Sequence, residues 1–305
     1  MRRVTISVTL AFMDVFFTGA SGQVGHALSA LAPTAVGLTR ADMDLAGDCD
    51  LSSLFSTPPS PRTVLINLAA FTTVDAAEDP THAAEVEAIN ASAPGKLARQ
   101  CATWGIPMIH VSTDYAFSGR RNKGEENHPA DVTAPINVYG RTKVAGEQAA
   151  LAQGAWVVRT SWVYTGPRNE GKDFVKTMVQ LAQRGVNPSV VDDQWGRPTY
   201  ASHLAAGLLE IARALVGEHP SVRAEDVPHI LHCAGSGEAI TWFDLARSTF
   251  AMAGHEAERV SRIPTSEYPT PAPRPLNAAL SVSEWEQIGF RPLPAWQDGL
   301  KDSVG

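Results

Sequence analysis

The chain reads as an α/β protein: a Rossmann-like doubly wound parallel sheet with a small C-terminal lobe. Three observations predict this. Short apolar runs alternate with helix-periodic stretches through the first half. The first such run, ending at Thr18, passes directly into a glycine-rich loop. Prolines then gather late, at Pro264, Pro269, Pro271, Pro273, Pro275, Pro292 and Pro294, where an irregular cap suits them better than a sheet.

The elements follow in order. Val15–Thr18 reads as a strand, Gln23–Leu31 as a helix and Ala35–Thr39 as a second strand. Leu51–Phe55 reads as a short helix and Thr63–Asn67 as a buried strand. His82–Trp104 carries helical spacing through Ala84, Val86, Ile89, Leu97 and Cys101, with a break expected at Pro94-Gly95. Met108–Ser112 is a strand, Val138–Gln153 a helix and Ala155–Thr160 a strand. Beyond these, Asp173–Arg184 and His203–Val216 are helices, and Ser189–Asp192 and His229–Ala234 are strands. Val190 and Ile230 look like members of the main sheet. The nucleotide domain is therefore expected over 13–165 with contributions from 188–234. Residues 166–187 and 235–305 are left for a substrate-binding lobe. Residues 1–12 read as a leader or extension ahead of a start at Met13. Their apolar run is broken by Thr5, Ser7 and Thr9 and is followed by no small-residue cleavage site.

Composition narrows the function. The 305 residues are 44% hydrophobic, enough for a large core. Twenty-five basic against 32 acidic residues give a net charge of −7 with no basic block, which argues against a nucleic-acid partner. An anionic ligand must then be held by backbone N–H groups or a few arginines. No stretch is long and apolar enough to span a membrane. Cys49, Cys101 and Cys233 are widely spaced, which suits a reduced, cytoplasmic protein. The nine histidines show no HxH or HExxH spacing, so no metal is expected, and His110 reads as a core residue within a strand. A hydrolase is disfavoured because no GxSxG elbow is present.

Gly19-Ala20-Ser21-Gly22-Gln23-Val24-Gly25 lies between a strand and a helix. Its glycines permit a tight turn, close approach to a pyrophosphate and close helix–strand packing. This is a dinucleotide site. The second strand ends in Thr39 and Arg40 rather than an acid, and arginine can accept a 2′-phosphate, so NADPH is expected, with NADH possible. Asp44-Leu45 would border the adenine. Ala69 and Ala70, after Asn67-Leu68, leave room for the cofactor's sugar and phosphates.

Tyr139 and Lys143 form a YxxxK pair, one helical turn apart on one face. An ammonium, and the nicotinamide cation, would lower the phenol's pKa from its usual value of about 10 and allow proton exchange with a carbonyl oxygen. Lys143 would also hold the nicotinamide ribose. Ser112-Thr113-Asp114 ends a strand, where ligands of doubly wound sheets gather, so a hydroxyl there can meet the reacting oxygen.

These residues resemble the dTDP-4-dehydrorhamnose reductase family of extended short-chain dehydrogenases/reductases. The likeness runs from about Asp14 to the C-terminus. It rests on GASGQVG at 19–25, NLAAFTTVDAAED at 67–79, STDYAFSG at 112–119 and YGRTKVAGE at 139–147. It continues through VVRTSWVY at 157–164, FVKTM at 174–178, VVDDQWGRPT at 190–199 and RPLN at 274–277. The resemblance implies reduction of the 4-keto group of dTDP-4-dehydro-L-rhamnose to give dTDP-L-rhamnose. It implies Thr113, Tyr139 and Lys143 as catalytic residues, Tyr139 giving the proton and Thr113 binding the keto oxygen. It places Asp114 and Trp162 against the sugar, and Phe71-Thr72 with Ala69 and Ala70 beside the cofactor. Arg274 is a candidate partner for the substrate diphosphate. Some members bind Mg²⁺ at a dimer contact through a glutamate early in the first helix; here His26 and Ala27 stand nearby, so no metal is assigned. The protein is expected to be a monomer or homodimer. A nucleotide-sugar epimerase, another 4-ketoreductase, or a non-catalytic subunit like that of methionine adenosyltransferase are the alternatives.

Overall fold

Thr63–Asn67 is buried at every position, so both of its faces need cover. In the computed structural model, which describes residues 13–54, 59–167 and 171–305, it lies inside a six-stranded parallel sheet. The expected leader at 1–12 and Phe55 of the expected short helix lie outside those residues. The sheet strands are β1 (Asp14–Thr18), β2 (Val36–Leu38), β3 (Thr63–Asn67), β4 (Met108–Thr113), β5 (Trp156–Thr160) and β6 (Ile230–His232). Their spatial order is β6-β5-β4-β3-β1-β2. The order reverses at β1, and the crevice beyond the strand ends there is the natural ligand site of such sheets.

Strand register sets polar side chains level with one another near those ends. Thr18 lies beside Asn67, and Asn67 beside His110, across three neighbouring strands. Thr113 lies beside Thr160.

Helices cover both faces. α1 (Gln23–Leu31) and the Ala201–Leu215 helix share one apolar cluster with Phe17, Ile66 and Ile109. The Ala93–Trp104 helix covers the other face through Leu97 and Cys101. α2 (Val138–Leu151) lies beside it, and a Cβ on Gly95 would stand 2.9 Å from that of Ala149. The expected break at Pro94-Gly95 does not occur. Pro94 follows directly on a π-helical stretch at Glu87–Ser92, and the helix runs on through it from that wider turn.

The Ile230 strand joins the sheet as expected. The Val190 strand does not. Ser189–Val191 pairs with Ser261–Ile263. The reason is burial: Val190 packs with Met178, Phe243, Phe250 and Val260 in a separate core, while β6 takes the sheet edge. The proline-rich segment is also less irregular than expected, since it holds that Ser261–Ile263 strand and a Ser283–Ile288 helix. Among the described residues no helix is long and apolar enough to cross a membrane.

Candidate functional site

The C-terminal ends of β1, β3, β4 and β5 open into a cleft of about 840 Å³. Its floor is the glycine loop. Gly19 has φ +73°, which a side chain rarely adopts, and a Cβ there would lie 2.9 Å from the Ala69 amide nitrogen. A Cβ on Gly25 would lie 2.4 Å from the Gly19 carbonyl oxygen. The backbone therefore packs with no room for larger residues. α1 begins at Gly22 with no side-chain cap, so its first N–H groups remain open at the cleft. These features fit a dinucleotide pyrophosphate.

All the expected cofactor positions line this cleft: Gly19, Ser21, Gly22, Gln23, Val24, Gly25, Arg40, Asp44, Leu45, Ala69, Ala70 and Thr72. Arg40 donates to Glu85 Oε1 at 3.0 Å and stands 3.5 Å from Asp44 Oδ1. Any 2′-phosphate must share it with two carboxylates. Sequence reading missed Glu85. It also missed Asn90, which accepts from the Phe71 amide at 2.8 Å and donates to the Phe71 carbonyl at 3.0 Å. Asn90 thus clamps the loop carrying Ala70 and Thr72 to the π-helical stretch, a distortion that often marks functional sites. The available signal was an asparagine on the apolar side of the helical spacing, four residues after Val86 and seven before Leu97.

Thr113, Asp114, Tyr139, Lys143 and Trp162 line the same cleft. Asn137 caps α2 by accepting from the Gly140 amide at 2.7 Å, which sets Tyr139 in the first turn. Burial pushes the Tyr139 phenol up to about 12, while the Thr113 hydroxyl acts the other way and Asp114 adds to the rise. The value expected from the YxxxK pair alone is a lowered one. Desolvation wins here because it opposes the charged form more than any neighbour favours it. Lys143 moves oppositely, down to about 8, through burial, with Glu147 resisting.

Thr113 donates to Asp114 Oδ1 at 3.1 Å and accepts from the Tyr115 amide at 3.1 Å. Asp114 is 3% exposed, and burial raises its carboxyl to about 7. Its Oδ2, Ser112 Oγ and Thr160 Oγ1 are buried without a protein partner, in three residues that line the cleft. Three such oxygens together suit a ligand rich in hydroxyls.

Trp162 reaches the cleft under strain, at φ +46°. Its indole stacks on Trp242 with centroids 3.6 Å apart, and Gly196 lies so close that a Cβ there would meet the ring at 2.4 Å. One indole face is therefore already covered. Arg274 is not part of the cleft wall: it donates to Asp75 Oδ2 at 2.8 Å and to the Ala272 carbonyl at 2.9 Å.

Residues 13–305 match the family described as the RmlD substrate binding domain. A dTDP-4-dehydrorhamnose reductase of Mycobacterium tuberculosis (strain ATCC 25618 / H37Rv) is 41% identical over 295 residues, covering 94% of this chain and 91% of the relative. A dTDP-4-keto-6-deoxy-D-glucose reductase of Streptomyces niveus is 34% identical, with 93% of each covered. A crystal structure of dTDP-4-dehydrorhamnose reductase from Bacillus anthracis in complex with NADP superposes with a TM-score of 0.81 at 29% identity, covering 95% of this chain and 98% of the other.

Proposed function

The chain belongs to the dTDP-4-dehydrorhamnose reductase family, and from that premise we propose that it reduces the 4-keto group of dTDP-4-dehydro-L-rhamnose with NADPH. The observation that carries this reading is the meeting of Thr113, Tyr139 and Lys143 in one cleft with the glycine loop. NADPH, when bound, supplies the hydride.

The chain's own residues do the rest. Tyr139 holds its proton at neutral pH because its environment resists the phenolate, so it is ready to donate to the keto oxygen as charge develops there. Thr113 turns its hydroxyl from Asp114 to that oxygen. Asp114 Oδ2, Ser112 and Thr160 take sugar hydroxyls. Lys143 has one N–H on the Val111 carbonyl at 2.8 Å and faces the cleft to hold the ribose. Arg40 takes the 2′-phosphate. Arg274 reaches the substrate diphosphate only by exchanging Asp75 for it. The lobe at 166–187 and 235–305 supplies the substrate side, and the protein acts as a monomer or homodimer.

Mixing purified protein with dTDP-4-dehydro-L-rhamnose and NADPH, and following the reduced nicotinamide absorbance, tests the activity. Oxidation of NADPH is expected; none with either NADPH or NADH would sink the reading. Tyr139→Phe is expected to lower kcat by at least about 100-fold, the usual worth of a placed proton donor.

A further inference from the structure

His110 is fully buried and lies in β4 directly beneath the face of α2 that carries Lys143. Its Nε2 stands 3.4 Å from Lys143 Nζ, and its Nδ1 stands 3.0 Å from the side-chain Nδ2 of Asn67. Thr18 Oγ1 donates to Asn67 Oδ1 at 2.6 Å and accepts from the Ala69 amide at 3.2 Å. The sheet register makes this row: Thr18, Asn67 and His110 occupy level positions on β1, β3 and β4. A polar chain thus runs under the cleft from Lys143 to the loop that borders the glycine turn, and no step of the proposed reduction uses it.

We propose that His110 is a positioning residue for Lys143: an uncharged imidazole, braced by Asn67 and Thr18, that accepts from the ammonium and stabilises its charged form. The inference rests on the proposed role of Lys143 in holding the ribose. An ammonium has only hydrogens to offer, so Nε2 must accept and the imidazole proton must sit on Nδ1. In the structure Asn67 turns its Nδ2 to Nδ1 and its Oδ1 to the Thr18 hydroxyl, so the proposal requires this amide reversed, with Oδ1 accepting from Nδ1 and Nδ2 donating to Thr18. Without that reversal the imidazole proton sits on Nε2, and only an uncharged Nζ can face it. Charge on Lys143, tautomer of His110 and orientation of Asn67 are thereby tied together. Burial and the Lys143 charge both keep the imidazole neutral.

The other ionisable groups around Lys143 are few. Tyr139 and Glu147 come from its own helix, and Glu147 is itself paired with Arg159 of β5 at 2.7 Å. Asp114 follows β4. None replaces the acceptor that His110 provides at Nζ.

The test is the pH profile of kcat/KM. His110→Leu removes the acceptor and is expected to move the alkaline limb to lower pH by about one unit or more, the worth of one hydrogen bond to a charge. His110→Gln, which brings an amide near the place of Nε2, is expected to keep the limb in place. A limb in His110→Leu that superimposes on that of the unaltered enzyme, whatever its height, overturns the proposal. Should His110→Leu fail to fold, ¹⁵N-histidine NMR of the unaltered protein decides. Near neutral pH, His110 is expected uncharged with its proton on Nδ1; an Nε2–H tautomer or an imidazolium overturns the proposal. The NMR result does not depend on substrate, so failure of the reductase reading would show separately, as an unaltered enzyme that oxidises no reduced nicotinamide.

Discussion

Asp114 sits where two demands on a carboxyl conflict. In the proposed reaction it offers an oxygen to the sugar, yet it is almost wholly buried. Its carboxyl is raised to about 7 from the ordinary 3.8, so burial of the charged form costs the folded state more as pH rises through that window. Stability from this group is present below about pH 4 and is lost by pH 7. Asp114→Asn, which cannot ionise, is therefore expected to gain Tm relative to the unaltered protein on going from pH 5 to pH 8, by a few degrees. Melting curves at the two pH values check it; a constant difference would contradict the assignment. Arg40 poses a different residue-scale question. Its guanidinium is 67% exposed and shared between Glu85 and Asp44. Removing the Glu85 charge frees it for a 2′-phosphate. Glu85→Gln is expected to raise the NADPH-over-NADH ratio of kcat/KM by about two- to fivefold, the scale of an exposed ion pair. A ratio that stays or falls would show that Arg40 does not read the phosphate. Glu85 was not legible in the sequence because it lies 45 residues from Arg40 and meets it only through the fold.

The Val138–Leu151 helix shows how an element fixes a site. Two glycines let it approach: a Cβ on Gly140 would lie 2.3 Å from the Tyr115 carbonyl oxygen, and one on Gly146 would lie 2.0 Å from that of Asn90. Between them stands Lys143, and one turn on, Glu147. Arg159 of β5 grips Glu147 with two bonds, at 2.9 and 2.7 Å, and both side chains are 2% exposed. Such a pair fixes the helix on the sheet, because breaking it leaves a buried charge alone. Arg159→Leu is expected to cost about 3–5 kcal/mol in chemical unfolding. A loss below about 1 kcal/mol would mean that the charge finds water. The YxxxK spacing and the glycine loop were legible because local sequence dictates them. His110 was legible only as a core residue. Its contact with Lys143 depends on strand register and on how closely α2 lies over β4, and neither is written in a local pattern. The Val190 strand shows the same limit: a short apolar run marks a strand but does not say which core buries it.

At the scale of the whole molecule, the cleft joins parts far apart in the chain. Asp173 is where they meet. One of its oxygens caps the Phe174–Gln183 helix by accepting from the Lys176 amide at 2.8 Å. The other accepts from the Thr165 amide and hydroxyl and from the Gly166 amide, at 2.9 to 3.1 Å. Asp173 and Lys172 also line the cleft opposite the glycine loop, and Gln23 bonds the Lys172 carbonyl at 3.5 Å. A cofactor held by the loop would share its cleft with the Asp173 turn. NADPH binding should stabilise the molecule as one body. At 100 times its Kd, NADPH is expected to add about 2.7 kcal/mol and to raise Tm in a single transition. Gly25→Val puts side-chain atoms into the loop's own backbone and should abolish that rise. Asp173→Ala should lower Tm without cofactor, through the lost cap, and shrink the rise as the wall loosens. If Gly25→Val kept the full NADPH-dependent rise, the cofactor would have to be bound somewhere other than this loop.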